Sequence, residues 1–529
     1  MSAIALIGLS GAGKSTVGPL LAQRLGLPHH DVDLVLEQRQ GRTIREIFDT
    51  DGEPHFRALE RDLTIELLAQ PGVLSLGGGA PMTRAVADAL EGHPVVWLRV
   101  EPESSARRIG RDAGRPLLAG SDTIVRLRRM LSERAPTYAR LASLAVDTDD
   151  ASVDAVVDAV AAHVSAFAPG RYSGEVIPVT AEKPYEVRVG RGVSYELAAA
   201  LGHRDRVALV HPSELARQAV ALRGTLDADV VFLEVPAGPQ AKQVRVLDRA
   251  WRTLARHGFT RDDAVVGLGD GPALEVAGFV AATWMRGIDH VSVPTTLLAM
   301  VDAAVGGKTG IQVGSSGSVV GAFWEPVAVL CDVDYLSGLG PEALRGGMAE
   351  MAKHGFVADP RTLQLLETCT EQMLDPDSPE LAEGIARSIR TKTTIVSADL
   401  REARSEGTQV GRELLSYGHT LGRAVERHSG WGHGEAVSVG IVYAASLARL
   451  LGHCSPQLVE RQRRLLERLG LPVQYRRDAW PALRRAMNRD KKARGSALRF
   501  VLLDDIARPR IEVAPPEALL RAAYAEVSA

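Results

Sequence analysis

The segment GLSGAGKS, Gly8 to Ser15, places glycines where backbone N–H groups can turn inward around phosphate oxygens, and follows them with a lysine and a serine. In such a loop Lys14 supplies a point charge for the outer phosphates of a nucleoside triphosphate and the Ser15 hydroxyl supplies a magnesium ligand. Gly11, Ala12, Gly13 and Thr16 complete the wrap. An apolar run, Ala3 to Gly8, precedes the loop and a helical stretch follows it, which is the context the pattern requires. Asp31 and Asp33 come after that helix with one residue between them, a spacing that puts both carboxylates on one side of an extended segment. One could serve magnesium and the other a phosphoryl acceptor. A D-x-D pair alone is more often a solvated turn or a helix cap.

These groups need elements to hold them. Up to about Ala168, short apolar runs (AIALIG, VLSLGG, VVWLRV, LAVDT) alternate with helical stretches such as Val17 to Leu25 and Arg57 to Ala69. That alternation predicts a parallel sheet with helices on its faces over 1–168. Ser152 to Phe167 has helical spacing, and Pro169, Gly170 and Gly174 then mark a linker over 169–183. Strand and helix alternate again over 184–338, predicting a second α/β, nucleotide-binding unit. Over 339–529 the periodicity is that of long helices, as in Leu381 to Val396 and Glu435 to Leu451. At 529 residues more than one core is expected, since a domain takes roughly 150 residues.

Composition narrows the ligands. Hydrophobic residues make up 45%, charged residues 24%, and the net charge is −3, so neither nucleic acid nor an acidic membrane surface is indicated as partner. Small molecules are. No apolar run reaches the ~18 residues that span a bilayer. Cys331, Cys369 and Cys454 are odd in number and far apart, which suits reduced thiols in the cytoplasm rather than a disulfide frame.

GEPHFRALE (Gly52 to Glu60), GGG (Gly77 to Gly79), RPLL (Arg115 to Leu118) and ERAPTY (Glu133 to Tyr138) follow the phosphate loop in order. With it they resemble the shikimate kinases over essentially all of residues 1–165. The resemblance implies a P-loop kinase domain that phosphorylates shikimate from ATP and magnesium. It implies that Arg57 and Arg134 bind the ring carboxylate, for which a planar fork offers two parallel hydrogen bonds. Asp33 would hold the acceptor hydroxyl and take its proton, Gly78 would offer backbone at close range, and Asp31 would lie near magnesium. Arg115 matches a lid arginine that reaches the transferring phosphoryl group on closure, and Arg108 a residue against adenine.

PTTLLAMVDAAVGGKTGI (Pro294 to Ile311), VGAFWEP, GGMAEMAKHGF, YGHTLG, GHGEAV and RDKK follow one another downstream. From Pro184 to about Val527 the chain resembles the 3-dehydroquinate synthases and the wider sugar-phosphate cyclases. The resemblance implies an α/β NAD-binding subdomain, a mostly helical metal subdomain, and homodimers. It also implies the conversion of 3-deoxy-D-arabino-heptulosonate 7-phosphate to 3-dehydroquinate with loss of phosphate. Glu350, His419 and His433 match the ligands of zinc or cobalt, two imidazoles and a carboxylate with room left for substrate oxygens. Lys308, Lys353 and Arg412 match catalytic positions. Asp302, Lys392, Lys491 and Lys492 join them as substrate contacts, and Lys242, Gly269, Gly271, Thr295, Thr296 and Lys308 match the NAD site.

Several positions depart from the family pattern. Asp270 stands for the middle of three glycines, Glu275 for an aspartate, Pro239 for an acidic residue, Gly317-Ser318 for Lys-Asn, Ser416 for Asn and Arg423 for a second histidine. A carboxylate at 270 is expected to repel the cofactor's pyrophosphate. The loop Asp399 to Arg412 also looks longer than the family norm. Three readings stay open for this half: a synthase with compensations, a cyclase for another sugar phosphate, or a non-catalytic scaffold.

Overall fold

The computed structural model describes residues 3–90, 93–109, 123–165, 174–314, 319–402, 405–491 and 497–529, without the side chains of 165 and 489–491. It divides into two compact units. Unit one comprises Met1–Gly174, Arg191–Asp205 and Arg217–Val230, and unit two comprises Glu175–Gly190, Arg206–Ala216 and Val231–Ala529.

In unit one, strands β1 (Ile4–Ile7), β2 (His29–Asp31), β3 (Val73–Ser75), β4 (Val95–Arg99) and β5 (Leu144–Asp147) form one sheet in the order β2-β3-β1-β4-β5. Every pairing is parallel. Helices cover both faces, so β1 and β3 are buried throughout, β1 apolar along its length and β3 apolar up to Ser75. β1 lies between a neighbour that follows it early in the chain and one that follows it late, and its carboxyl end is where such sheets open a crevice. The phosphate loop leaves that end. The helix Lys14–Leu25 starts on a left-handed Gly13 and stops on a left-handed Gly26. Periodicity placed this helix at Val17, and the next long one at Arg57; the structure starts them at Lys14 and Glu53. Their first turns are set by Gly13 and by Gly52 with Pro54, residues that carry no apolar signal. Tyr195 also packs in the core of unit one, its ring 4.6 Å from that of Trp97 and its hydroxyl accepting from Arg99 at 2.9 Å.

Unit two is built on strands β6 (Glu175–Val179), β7 (Tyr185–Gly190), β8 (Arg206–Pro212), β9 (Asp229–Val235), β10 (Ala264–Gly269), β11 (Asp289–Pro294), β12 (Lys308–Ile311), β13 (Val320–Phe323) and β14 (Ala328–Asp332). Seven of them form a sheet in the order β6-β7-β14-β11-β10-β8-β9, parallel from β7 through β8, while β12 and β13 pair as a separate hairpin. β6 falls inside the stretch read as linker. It pairs antiparallel with β7 and buries Ile177 and Val179, a two-residue alternation too short to stand out beside Pro178. Residues 169–173 of that stretch lie outside the described residues. Beyond β14 come the helices Pro341–Val357, Pro379–Ala398, His419–Ser429, His433–Leu450, Pro456–Arg468 and Trp480–Lys491. After the exposed Glu435, His433–Leu450 is buried without interruption from Ala436 to Ala448, and neighbouring helices pack around it. Among the described residues no helix is long and apolar enough to cross a membrane.

Candidate functional site

At the carboxyl end of the unit-one sheet, Lys14 Nζ donates to the carbonyls of Gly8 at 2.8 Å and Leu9 at 3.0 Å, while Ser15 Oγ donates to Asp31 Oδ2 at 2.9 Å. Asp31 and Asp33 do not share an extended segment. Asp31 ends β2 and caps the helix Val32–Gln40, accepting from Asp33 N–H at 3.2 Å, so Asp33 sits in a first helical turn. A free carboxylate next to unpaired helix amides is held by them, and this outweighs a strand-like spacing. Asp31 nonetheless keeps its other oxygen on Ser15.

The GGG turn draws the remaining groups together. A Cβ on Gly77 would lie 2.3 Å from Glu60 Oε1 and 3.0 Å from Asp33 Oδ1; on Gly78, 3.1 Å from Arg134 Nη1; on Gly79, 2.4 Å from Arg57 Nη1. Only glycines let Asp33, Arg57 and Arg134 approach one backbone turn this closely. Tyr138 Oη donates to the Gly78 carbonyl and locks the turn. Glu60 is a site residue that the sequence reading left without a role. It is 2% exposed and accepts from Arg57 Nη1 at 2.6 Å, one helical turn away. Burial raises its pKa against the pull of Arg57. An R-x-x-E pair within one helix was the available signal. Arg108 is exposed but donates to Thr148 Oγ1 at 3.0 Å and to Gly11 O at 3.4 Å, which ties it to the phosphate loop. Arg115 lies outside the described residues.

In unit two, Glu350, His419 and His433 converge, with one ligand atom from each within 4.8 Å of the others. Helix packing makes this possible. Gly434, next to His433, meets Gly346, one turn before Glu350, so closely that a Cβ there would lie 2.1 Å from the Gly346 carbonyl oxygen. Gly434→Ala should force the helices apart, destabilising unit two by about 1–3 kcal/mol and reducing the uptake of a divalent metal at the Glu350, His419 and His433 cluster. Thermal unfolding and metal stoichiometry check this, and parent values for both would refute it.

The charges around these three residues are matched. Glu350 is 0% and Lys353 1% exposed; they form an ion pair, and Lys353 Nζ also donates to Leu415 O at 2.8 Å. Burial opposes ionisation of Glu350, yet Lys353 and the two histidines hold its carboxyl far below the usual range. His419 Nδ1 bonds Tyr417 O at 3.1 Å, and burial pushes that imidazole's pKa well down. His433 is held between Glu350 and Glu426, which overcome its burial and push its pKa up to about 10. Neither Glu350 oxygen nor His433 Nε2 has a well-formed hydrogen bond, although all three are buried. Buried carboxylate oxygens without a well-formed hydrogen bond, set beside two imidazoles, fit a divalent cation of the zinc class, which would take the place of the proton on His433 Nε2.

Beside them, Asp302 lies in a π-helical turn, Ala299–Ala303, and receives Lys392 on its carboxylate and its carbonyl. Burial pushes Lys392 down to about 8 despite Asp302. Arg412 N–H donates to Asp399 Oδ2 at 3.0 Å and its guanidinium to Leu400 O at 2.8 Å. Lys308 pairs with Glu402, which lies in the long loop and was not among the expected site residues. That loop carries a small hairpin, Ser405–Glu406 with Gln409–Val410. Gly317, Ser318 and Lys492 lie outside the described residues, as does the Lys491 side chain.

The expected dinucleotide turn follows β10. Gly269, at φ 149°, ends the strand, and Asp270 caps the helix Gly271–Thr283, accepting from Ala273 N–H at 3.1 Å. Pro272 has no N–H and Leu274 N–H goes to Asp270 O at 3.1 Å, so this carboxylate already uses the helix N-terminus. Burial raises the Asp270 pKa. Thr295 N–H donates to Gly269 O at 2.9 Å, which brings Thr295 to the turn, while Thr296 Oγ1 accepts from Ala299 N–H at 3.2 Å in the following helical turn. Lys242 is paired with Glu275. A glycine turn at the end of a parallel strand fits a dinucleotide, with Asp270 as a competitor for its amides.

Comparison with known proteins gives the following. Residues 10–165 match the family model for shikimate kinase, 232–346 that for the 3-dehydroquinate synthase N-terminal domain, and 347–493 that for its C-terminal domain. The 3-dehydroquinate synthase of Thermobifida fusca is 50% identical over 351 residues, 65% of this chain and 94% of the relative. That of Streptomyces coelicolor is 46% identical over 351 residues, 65% of this chain and 95% of the relative. Among solved structures, 2-epi-5-epi-valiolone synthase from Streptomyces hygroscopicus, with NAD+ and Zn2+ bound, has a TM-score of 0.59 at 23% identity, over 65% of this chain and 97% of that one. At that identity the likeness is one of fold.

Proposed function

The chain belongs to the 3-dehydroquinate synthase family and carries a shikimate kinase domain ahead of the synthase segment, and from this we propose how its residues carry out the two reactions. It is a bifunctional shikimate-pathway enzyme. The kinase is assigned to 1–168, a connecting stretch to 169–183, the NAD-binding subdomain to 184–338 and the metal subdomain to 339–529.

For the kinase, the phosphates of ATP take the place of the Gly8 and Leu9 carbonyls on Lys14. Gly11, Ala12, Gly13 and Thr16 wrap them, and Ser15 with Asp31 faces magnesium. Arg57 and Arg134 clamp the shikimate carboxylate against the glycine turn, and Asp33 accepts the proton of the attacking hydroxyl. Phosphoryl transfer asks the protein mainly for position and charge, which Lys14 and the lid Arg115 supply, with Arg108 bracing the loop beneath adenine.

For the synthase, zinc or cobalt on Glu350, His419 and His433 would polarise substrate hydroxyls, and NAD at Gly269, Gly271, Thr295, Thr296 and Lys242 would accept and return a hydride. Lys353 neutralises Glu350 and faces the reacting ring. Lys308, Arg412, Lys392, Lys491 and Lys492 supply the positive charge for the phosphate and carboxylate, and Asp302 orients Lys392. The helix cap on Asp270 suggests the cost of its substitution: the cofactor's phosphates must displace a carboxylate worth about 0.5–2 kcal/mol as a cap. Asp270→Gly should therefore tighten NAD binding by roughly 2- to 30-fold, measured by titration calorimetry. Unchanged affinity would mean that the carboxylate is no obstacle.

The observation that carries the synthase reading is the convergence of Glu350, His419 and His433, with one ligand atom from each within 4.8 Å of the others. Purified full-length chain is expected to form shikimate 3-phosphate from shikimate, ATP and magnesium. With NAD and zinc it should form 3-dehydroquinate and phosphate from the seven-carbon substrate. Zinc and NAD bound without dehydroquinate formation would turn the reading toward another sugar phosphate. We further assign the chain to the cytoplasm, its cysteines reduced, as a homodimer through the synthase segment, which sedimentation tests.

A further inference from the structure

The two histidines of the metal cluster are each engaged at Nδ1, and the two partners differ. His419 Nδ1 meets a backbone carbonyl, that of Tyr417, at 3.1 Å. His433 Nδ1 meets a side chain, Glu426 Oε2, at 3.2 Å, while its Nε2 lies 3.4 Å from Glu350 Oε1. Glu426 comes from the helix His419–Ser429, which opens with His419. Seven residues are two turns at about 3.6 residues each, so His419 and Glu426 project from one face roughly 10 Å apart along the axis. One helix therefore presents a ligand and, two turns on, the carboxylate behind the other ligand.

We propose that Glu426 is a positioning residue for the metal centre, fixing the ring plane and the Nδ1–H tautomer of His433 so that its Nε2 lone pair faces the ion. The proposal rests on the metal reading above. A surface ion pair is the competing account, since the Glu426 side chain is 40% exposed and Arg423 and Arg427 stand on the same helix. Exposed pairing does not explain why the carboxylate ends on a ring whose other nitrogen is buried without a hydrogen bond. It also leaves the tautomer open. Without Glu426, a neutral His433 gains most by placing its proton on Nε2, toward Glu350, and that tautomer offers the metal no lone pair there.

The full-length chain and its Glu426→Ala, Glu426→Gln and His433→Ala variants provide the test. Zinc affinity is read by competition with a chelator, and geometry by the visible absorption of the cobalt-loaded proteins. Glu426→Ala should weaken zinc binding by about 10- to 100-fold and alter the cobalt spectrum, with the thermal midpoint of the metal-free protein unchanged. Glu426→Gln, whose amide oxygen still accepts from Nδ1–H, should recover most of both. Parent-like zinc affinity and cobalt spectrum in Glu426→Ala, beside loss in His433→Ala, would overturn the proposal alone. Weakened zinc binding that Gln does not restore, together with a lowered metal-free midpoint, would also overturn it by making Glu426 structural. A parent that takes up no zinc would overturn the metal reading and this proposal with it.

Discussion

Lys14→Ala leaves the full-length chain with shikimate phosphorylation reduced by about 10³-fold or more, while dehydroquinate formation continues at the parent rate. Lys14 Nζ rests on the Gly8 and Leu9 carbonyls of the phosphate loop, both of which an incoming phosphate can replace. The charge is needed most as the γ-phosphoryl group loosens, so its loss should fall on kcat more than on KM. The fold should tolerate the change. Position 14 is the first residue of its helix, alanine is a good helix former, and the left-handed Gly13 before it sets the turn. Release of ADP with shikimate as acceptor measures the loss, and the synthase rate in the same sample reports the folded fraction. Turnover within a few-fold of the parent would remove Lys14 from the mechanism.

What could be read in the sequence divides along physical lines. The phosphate loop was legible because it is local: strand, glycine turn, lysine and helix are contiguous, and the loop's chemistry follows from its backbone. Four strands of the unit-one sheet were legible as short apolar runs, whereas the edge strand β2 is polar, half-buried and left no such run. Asp31 was legible as a site residue but misplaced, since capping by a side chain depends on where the helix starts, and Val32 carries no start signal of its own. Asp270 was read as an intrusion on a phosphate. Its geometry is that of an ordinary cap, which limits the expected penalty to the energy of one such bond. Glu60, Glu402 and Glu426 drew no notice. Glu60 had a local signal in its R-x-x-E spacing to Arg57, whereas Glu402 and Glu426 are carboxylates among many that only tertiary contact with Lys308 and His433 distinguishes. The approach of Gly434 to Gly346, which brings His433 to Glu350, leaves no trace in either local pattern.

Glu350→Gln is expected to empty the metal centre and to destabilise unit two by about 3–5 kcal/mol. The substitution keeps shape and volume but removes the negative charge, and both Glu350 and its partner Lys353 are almost wholly inside. Lys353 would keep one hydrogen bond, to Leu415 O, in a place where an unbalanced ammonium is costly. Two effects thus coincide in one variant, and a second substitution separates them. Adding Lys353→Met replaces the stranded charge with an apolar chain of similar length, so the double variant should regain most of the lost stability. It should regain none of the zinc, because the carboxylate ligand is still missing and the two histidines alone make a weak site. Denaturant unfolding of the metal-free proteins gives the first quantity and zinc stoichiometry the second, with kinase turnover as the control that unit one is intact. Zinc held at parent stoichiometry by Glu350→Gln would take Glu350 out of the ligand set. A double variant no more stable than the single one would show that Lys353 was never stranded, and that the loss came from packing around the amide.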